Sequence, residues 1–483
     1  MNTLLITLLF ALPVDSTWID SVSTQRVHQI SADTVVKPKR NYWKPLAEGL
    51  AINTAVWAWD HYLYDRIWAR IDIHSVRQNL KSEWVFDTDS YSGNQFSHPF
   101  HGSMFFNAAR YHGHDFYVSA LYPLAGSLAW EVFCETNRPA INDFCSTGIG
   151  GSAIGEATHR ASDLLFDNTK RGFRRVVREF FGSVLNPARG LHRLISGDMW
   201  HVSHSKEKLV APEPFSFQIA AGDRFMHEMR HGHHEKHVPF IELDLNYGDR
   251  FASKPHQKPY DWFRVHALLN VGGNEPTFSD LDIRGRIVGR QHESETGWES
   301  DFGLYQTFRY IDNYGHYKGQ NSQYAGDFML VNEAMSFGGG WAVQKKSAHH
   351  AFSTDLLANV VGLGGVTADY YQPRRYSFAS GFSFRNDTKL TLARHVVVGN
   401  DFYFVRLFTF RGCDDPNLYR RSDWGDKGAA SVFINRAYFS AALGSGLHFN
   451  LEHILNYRHT HYRYYPDHHA KSYEIKAALA YDI

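Results

Sequence analysis

The sequence predicts an α+β chain: an N-terminal helical domain followed by an antiparallel transmembrane β-barrel of about twelve strands. Three observations carry that expectation. The apolar period changes from helical spacing to strict alternation near residue 215. Aromatic residues make up 15% of the chain, as they do when lipid-facing strands end in aromatic girdles. No apolar run is long enough to cross a bilayer as a helix, so a membrane span has to be built from strands.

At 483 residues the chain has room for two domains. Lysine plus arginine equals aspartate plus glutamate at 50 each, so no basic bias points to a nucleic-acid partner. Leu4 to Leu12 is a short apolar stretch, and Val14 and Ser16 are acceptable small residues before a cut. Residues 1–16 are therefore read as a signal peptide, although no Lys or Arg precedes the stretch, and 17–42 as an N-terminal segment. Cys134, Cys145 and Cys413 form no disulfide framework; Cys134 and Cys145 either pair in an oxidising periplasm or stay as free thiols.

Residues 43–202 read as helical pieces with loops. The segment 45–67 opens at Pro45 and places Leu46, Leu50, Ala55, Val56, Trp59 and Leu63 at roughly helical spacing. The segment 116–133 is apolar on most faces, with Gly126 and Ser127 small enough for close packing. Further helices are expected at 154–166 and 173–184. The latter sets Arg174, Arg175 and Arg178 opposite Phe173, Val177, Phe180 and Phe181, so its arginines are expected to face water or phosphate headgroups. A linker at 203–214 leads into the barrel, 215–483.

In the barrel half, Ile241, Leu243, Leu245 and Tyr247 share one face and Glu242, Asp244 and Asn246 the other. Phe449, Leu451, Leu455 and Tyr457 alternate with His448, Asn450, Glu452 and Asn456 in the same way. A soluble sandwich also alternates, but these segments are long and carry Tyr and Phe near their ends. The last strand lines Tyr473, Ile475, Ala477, Leu479, Tyr481 and Ile483 along one face, similar to the terminal signal of outer-membrane barrels with Ile483 in place of the usual aromatic.

Between residues 87 and 193 lies an ordered set of motifs: Asn94-Gln-Phe-Ser-His98-Pro99-Phe-His101-Gly102, Asn107-Ala-Ala-Arg110, Trp130-Glu131, Asn142-Asp143, Gly155-Glu156-Ala-Thr-His159-Arg160 and Asn186-Pro187-Ala-Arg189-Gly190. The stretch resembles a bacterial envelope family known as domain of unknown function 3943. That resemblance covers about a third of the chain and implies an envelope location with a following outer-membrane barrel. It implies no activity.

The chemistry has to be argued from the residues. Glu156 and His159, three apart, share a helix face, and Glu-x-x-His is the pairing of carboxylate-bridged di-metal bundles. A second such motif is missing from this half, which leaves Glu131 as an isolated candidate. A hydrolytic site needs less: His98 or His159 as general base, Asp89 or Glu156 to orient it, and Arg110 or Arg160 to hold an anion. Ser97, Ser103 and Ser127 lack a nucleophile elbow, so activated water serves as well as a covalent step. The competing expectation, weighed more heavily, is that Asp89, His98, Arg110, Glu156 and His159 belong to a buried hydrogen-bond network that pins helices together. His231, His233, His234 and His237 are read as incidental metal affinity in a hairpin loop, so no cofactor and no functional metal are expected.

The leading expectation is an outer-membrane barrel of undefined envelope role, passing a small or lipidic solute. The alternatives are an envelope hydrolase acting on lipid or glycan, and a structural or partner-binding barrel. Its expected partners are outer-membrane lipid and the barrel-assembly machinery, with the helical domain on the periplasmic side or inside the barrel. A barrel this narrow is expected to be filled rather than widely open.

Overall fold

Alternation from Phe215 onward builds a closed antiparallel barrel of twelve strands, matching the expected architecture. In chain order they are β1 (Phe215–Glu228), β2 (His234–Tyr247), β3 (Phe263–Asn270), β4 (Phe278–Glu293), β5 (Trp298–Asn313), β6 (Met329–Lys346), β7 (Ala351–Thr367), β8 (Tyr376–Leu392), β9 (Val396–Thr409), β10 (Gly428–Gly444), β11 (Leu447–Tyr462) and β12 (His468–Asp482). The computed structural model describes residues 34–35, 38–204, 207–211, 213–228, 234–254, 257–272, 275–313, 329–371, 374–410 and 425–483. The chain divides into two compact units, Gln29–Pro212 and one holding Glu213–Ile483.

Each strand pairs with its neighbours in sequence, and β12 closes on β1 from Ser472 opposite Glu228 to Asp482 opposite Gln218. Which face points where follows from β12. Ser472, Glu474, Lys476, Ala478 and Ala480 are buried in the lumen, while Ile475 and Leu479 are exposed on the outside. β11 repeats this with Leu451, Leu455 and Tyr457 outside and Asn456 and Arg458 inside. Charge inward and hydrocarbon outward is the reverse of a soluble sandwich and is the arrangement a bilayer requires. Tight turns join β4 to β5, β6 to β7, β8 to β9 and β10 to β11 at one end. At the last of these, Ser445 (φ 52°) and Gly446 (φ 78°) adopt the left-handed backbone that a two-residue hairpin needs.

The helical unit contains α1 (Trp43–Ala58), α2 (Ile73–Asn79), α3 (His98–Tyr111), α4 (Phe116–Ser119), α5 (Leu121–Phe133), α6 (Ile141–Cys145), α7 (Gly151–Leu165), α8 (Gly172–Leu185) and α9 (Pro187–Ser196). α3 has Pro99 in its first turn, where the missing N–H costs nothing. α9 starts at Pro187, is capped by the Asn186 side chain accepting from Arg189 N at 3.0 Å, and stops at left-handed Gly197. π-helical turns, Gly93–Ser97 and Ser146–Gly150, precede α3 and α7. These two helices cross at glycines: a Cβ on Gly102 would lie 2.0 Å from the Thr147 carbonyl oxygen, and one on Gly151 2.7 Å from Gly102 Cα.

Three expectations for this unit need comment. α8 turns Arg175 and Arg178 inward, where they donate to the carbonyls of Met199 (2.9 Å) and Leu165 (2.8 Å), and leaves Phe173, Val176, Phe180 and Val184 exposed. The expectation that these two arginines face outward is therefore overturned; carbonyls at the end of α7 and in the turns around it and after α9, which lack helical partners, draw them inward. Within the segment 203–214, expected as a linker, Glu207–Lys208 pairs with Thr34–Val35, and buried Lys208 Nζ donates to the carbonyls of Asp163 and of Phe166 (3.0 Å). Cys134 and Cys145 are free thiols. The signal peptide, Cys413, His231 and His233 lie outside the described residues.

Candidate functional site

Two places concentrate buried charge: the barrel lumen and a cavity in the helical unit. The lumen follows directly from the alternation, because every inward position that is not apolar must find a partner inside. Lys476 reaches Glu242 (2.7 Å) and Glu452 (2.9 Å). Arg436 approaches the same two carboxylates and lies 3.4 Å from Asp401. Asp401 also holds Arg385 (2.5 Å), which pairs with Asp282 (2.6 Å). Asp282 meets Arg284, and Arg284 shares Asp355 with Arg250. Arg250 and Arg286 then converge on Asp301. The result is one continuous ladder of alternating charge contributed by nine of the strands and by Arg250 in the connection between β2 and β3. A void of about 60 Å³ remains beside it, lined by Arg224, Ser279, Arg385 and Arg436, enough for a few waters. Near the strand ends away from the tight turns, Ile311, Met329, Val331, Val361, Val405, Leu407 and Val432 pack into an apolar layer on the inward faces of β5–β7, β9 and β10.

The helical unit holds a larger cavity, about 360 Å³. Trp68, Phe96, Phe100, Met104 and Trp130 give it an apolar wall; Asp87, Asp89, Glu135, Asp143, His98 and His101 give it a charged one. The π-helical turn Gly93–Ser97 shifts the register of the chain just before His98, as such turns often do beside sites. His98 Nε2 lies 3.6 Å from Asp143 Oδ1. Asn142 Nδ2 donates to both Asp143 (2.8 Å) and Asp87 (3.0 Å), and Glu131 accepts from the backbone of Ala140 (2.8 Å).

Burial and crowding set the protonation states here. Asp143 and Glu135 are held well above the usual carboxylate range, by burial first and then by neighbouring acids. Burial raises Glu131 to about 7 and also raises Asp89. The same burial pushes His98 down to about 4 and His101 to about 3. At neutral pH the cavity thus sets neutral imidazoles beside carboxyl groups that keep protons. Pairs of groups driven apart in this way are the raw material of acid–base chemistry and of cation-for-proton exchange.

The structure splits the five residues singled out in the sequence. Asp89 and His98 line the cavity. Glu156 is fully buried between Arg110 (2.8 Å) and Arg160 (2.8 Å). His159 is buried too, its imidazole kept neutral by burial and then by Arg110, Arg189 and Arg160. Around them Asn107 and Asn186 join side chain to side chain (2.8 Å), and Arg189 reaches Asp163 (2.5 Å). Arg110, Glu156 and His159 therefore belong with the network that ties α3, α7 and α9 together. Glu131 does not line the cavity; it is fully buried behind the acidic wall, hydrogen-bonded to Glu135 and to the backbone of Ala140. Sequence reasoning missed Glu135, although its four-residue spacing from Glu131 was a usable signal at the end of a helix.

Residues 83–188 match the family model of a domain of unknown function, DUF3943. That stretch contributes most of the cavity and the Arg110–Glu156–Arg160 cluster. No curated protein matches the chain in sequence. Among solved structures, the NanC porin is similar at 10% identity over 54% of this chain and 98% of its own, with a TM-score of 0.26. An outer membrane channel from Pseudomonas putida F1 is similar at 7% identity over 57% of this chain and 97% of its own, TM-score 0.30. A mutant of the monoaromatic hydrocarbon channel TodX is similar at 9% identity over 56% and 90%, TM-score 0.22. What the lumen and cavity do follows from this chain's own side chains.

Glu131 gives a pH prediction. A carboxyl raised in the folded state contributes stability that is complete below about 4.5 and lost as pH rises through about 7. His98 acts oppositely, its contribution being lost as pH falls from 6.5 toward 4. Glu131→Gln should therefore stabilise the helical unit at pH 8 by about 1–3 kcal/mol and flatten its pH dependence between pH 6 and 8. Thermal loss of helical circular dichroism in the full chain checks this; equal slopes for variant and wild type would contradict it.

Proposed function

We propose that the protein is an outer-membrane barrel through which a small charged or polar solute passes, with the lumen closed at rest by its own ion pairs. The observation that supports this reading is the continuous ladder from Lys476 to Arg286. Closing a barrel does not require such a ladder, since replacing buried ion pairs by packed apolar side chains is often neutral or stabilising by about 1–4 kcal/mol. A run of paired charges instead provides successive stations where a polar solute can exchange partners. The apolar layer of Met329, Val331, Val405 and Leu407 then forms the constriction that has to wet or part. This charged lining disfavours the lipidic solute. Short turns face the periplasm in such barrels, which supports putting the start of β1 on that side.

Reconstituted in a planar bilayer, the wild-type chain is expected to give small, intermittent conductance. Arg385→Ser with Arg436→Ser frees Asp401 and should raise conductance and favour cations, with heat-modifiable migration confirming that the barrel still folds. Arg385→Lys should remain close to wild type. Silence from wild type and double variant alike would remove the solute-passage reading, as would a large permanent conductance from wild type.

The cavity supports a second reading, an envelope hydrolase in which neutral His98 draws a proton from water and Asp143 or Glu135 returns one to the leaving group. Turnover of an envelope lipid or glycan that disappears in a normally folded His98→Gln chain would favour it. Turnover that survives that change would exclude His98 as the base.

A further inference from the structure

Glu48 on α1, His112 just past the end of α3 and His192 on α9 are far apart in sequence and meet at one point. His112 Nε2 lies 2.6 Å from Glu48 Oε1, and His192 Nε2 lies 2.6 Å from Glu48 Oε2. One ligand atom from each residue falls within 4.8 Å of the other two. Both rings are held in place: Tyr111 stacks on His192 at 4.0 Å and 18°, and the two imidazoles meet edge to face at 5.1 Å.

The charge balance separates this cluster from a similar one. In the lumen Glu242, Asp244 and His266 also converge, but Lys476, Arg436 and Arg264 already supply the positive charge there. Among the described residues no lysine or arginine pairs with Glu48; its ion-pair partners are the two histidines. Its side chain is only 29% exposed, and those of His112 and His192 are 11% and 20% exposed. A half-buried carboxylate flanked only by imidazole nitrogens calls for a cation.

We propose that Glu48, His112 and His192 form a site for one divalent transition-metal ion, with zinc the best match to two imidazoles and a carboxylate. Three protein ligands at about 2.0–2.2 Å leave a fourth position for water, and the partial exposure of all three side chains leaves that position reachable. Converting two hydrogen bonds into metal bonds asks only for small side-chain rotations. The ion would fasten α1 to α9 past the end of α3, so it stabilises the helical unit whatever the barrel carries. None of the three residues lines the acidic cavity.

The test uses the full chain in detergent, with His231, His233 and His234 replaced by Asn to remove the histidine-rich segment as a competitor. After chelation it is titrated with zinc and, separately, with cobalt, whose visible absorption reports tetrahedral imidazole ligation. The expected result is about one tight equivalent of zinc, no comparable binding of magnesium, and a fall in helical melting temperature on adding chelator. His192→Asn and Glu48→Gln should each weaken zinc binding more than about tenfold. Glu48→Gln keeps the shape, accepting from one imidazole through Oε1 and donating Nε2–H to the unprotonated nitrogen of the other, so it should keep the fold and lose only the metal. Absence of a tight equivalent would overturn the proposal, and so would an equivalent that persists in folded Glu48→Gln. Neither outcome bears on conductance, which keeps this inference separate from the function proposed above.

Discussion

The pairing of β12 with β1 is the constraint on which the barrel rests. A backbone N–H or C=O left open in hydrocarbon costs several kcal/mol, so a membrane sheet has to close on itself. Closure makes an inside and an outside, and with a side-chain period of two it sends every second residue into the lumen. In β12 that rule delivers Glu474 and Lys476 inward and Ile475 and Leu479 outward. Once inside, those charges have no bulk water to turn to. The ladder from Lys476 through Asp401 and Asp282 to Asp301 is the consequence.

The helical unit solves the same problem differently. Its core is rich in Asn, Arg, His and Glu, and most of these groups are consumed in cross-links: Asn107 with Asn186, Arg189 with Asp163, Glu156 with two arginines. Such clusters fix which helices meet and at what register, a role that apolar packing alone specifies less well. Against that background, Asp143 and Glu135 near His98 hold protons, and among the described residues Glu48 is met by imidazoles.

Much of this architecture was legible in the sequence. Alternation at Ile241 to Tyr247 and at Phe449 to Tyr457 identified strands, and their length, with the missing helical span, identified a membrane barrel. Glu156 and His159 do share one helix, but one-dimensional spacing cannot say what faces them; Arg110 from α3 and Arg189 from α9 join Arg160 of their own helix around them. Arg175 and Arg178 misled because amphipathicity ranks residues by polarity, whereas turn and helix-end carbonyls draw guanidinium groups inward. The Glu48–His112–His192 convergence carries no local signal at all, since its members come from three helices brought together only by the tertiary fold. The acidic cavity lies between these extremes: Asp89 and His98 were singled out in the sequence, but Glu135 and the grouping of the acids were not.

The central claim, a barrel closed by β1 and β12 with apolar side chains facing out, is tested most directly by the register of that seam. In a chain with Cys134, Cys145 and Cys413 replaced by serine, cysteines are placed at Ala221 and Leu479, which lie opposite each other across the seam. Oxidation in intact membranes should form an intramolecular bond in the Ala221/Leu479 pair and much less in an Ala221/Ile475 pair, which is out of register. Equal cross-linking of both pairs, or of neither, would contradict the closed barrel described here.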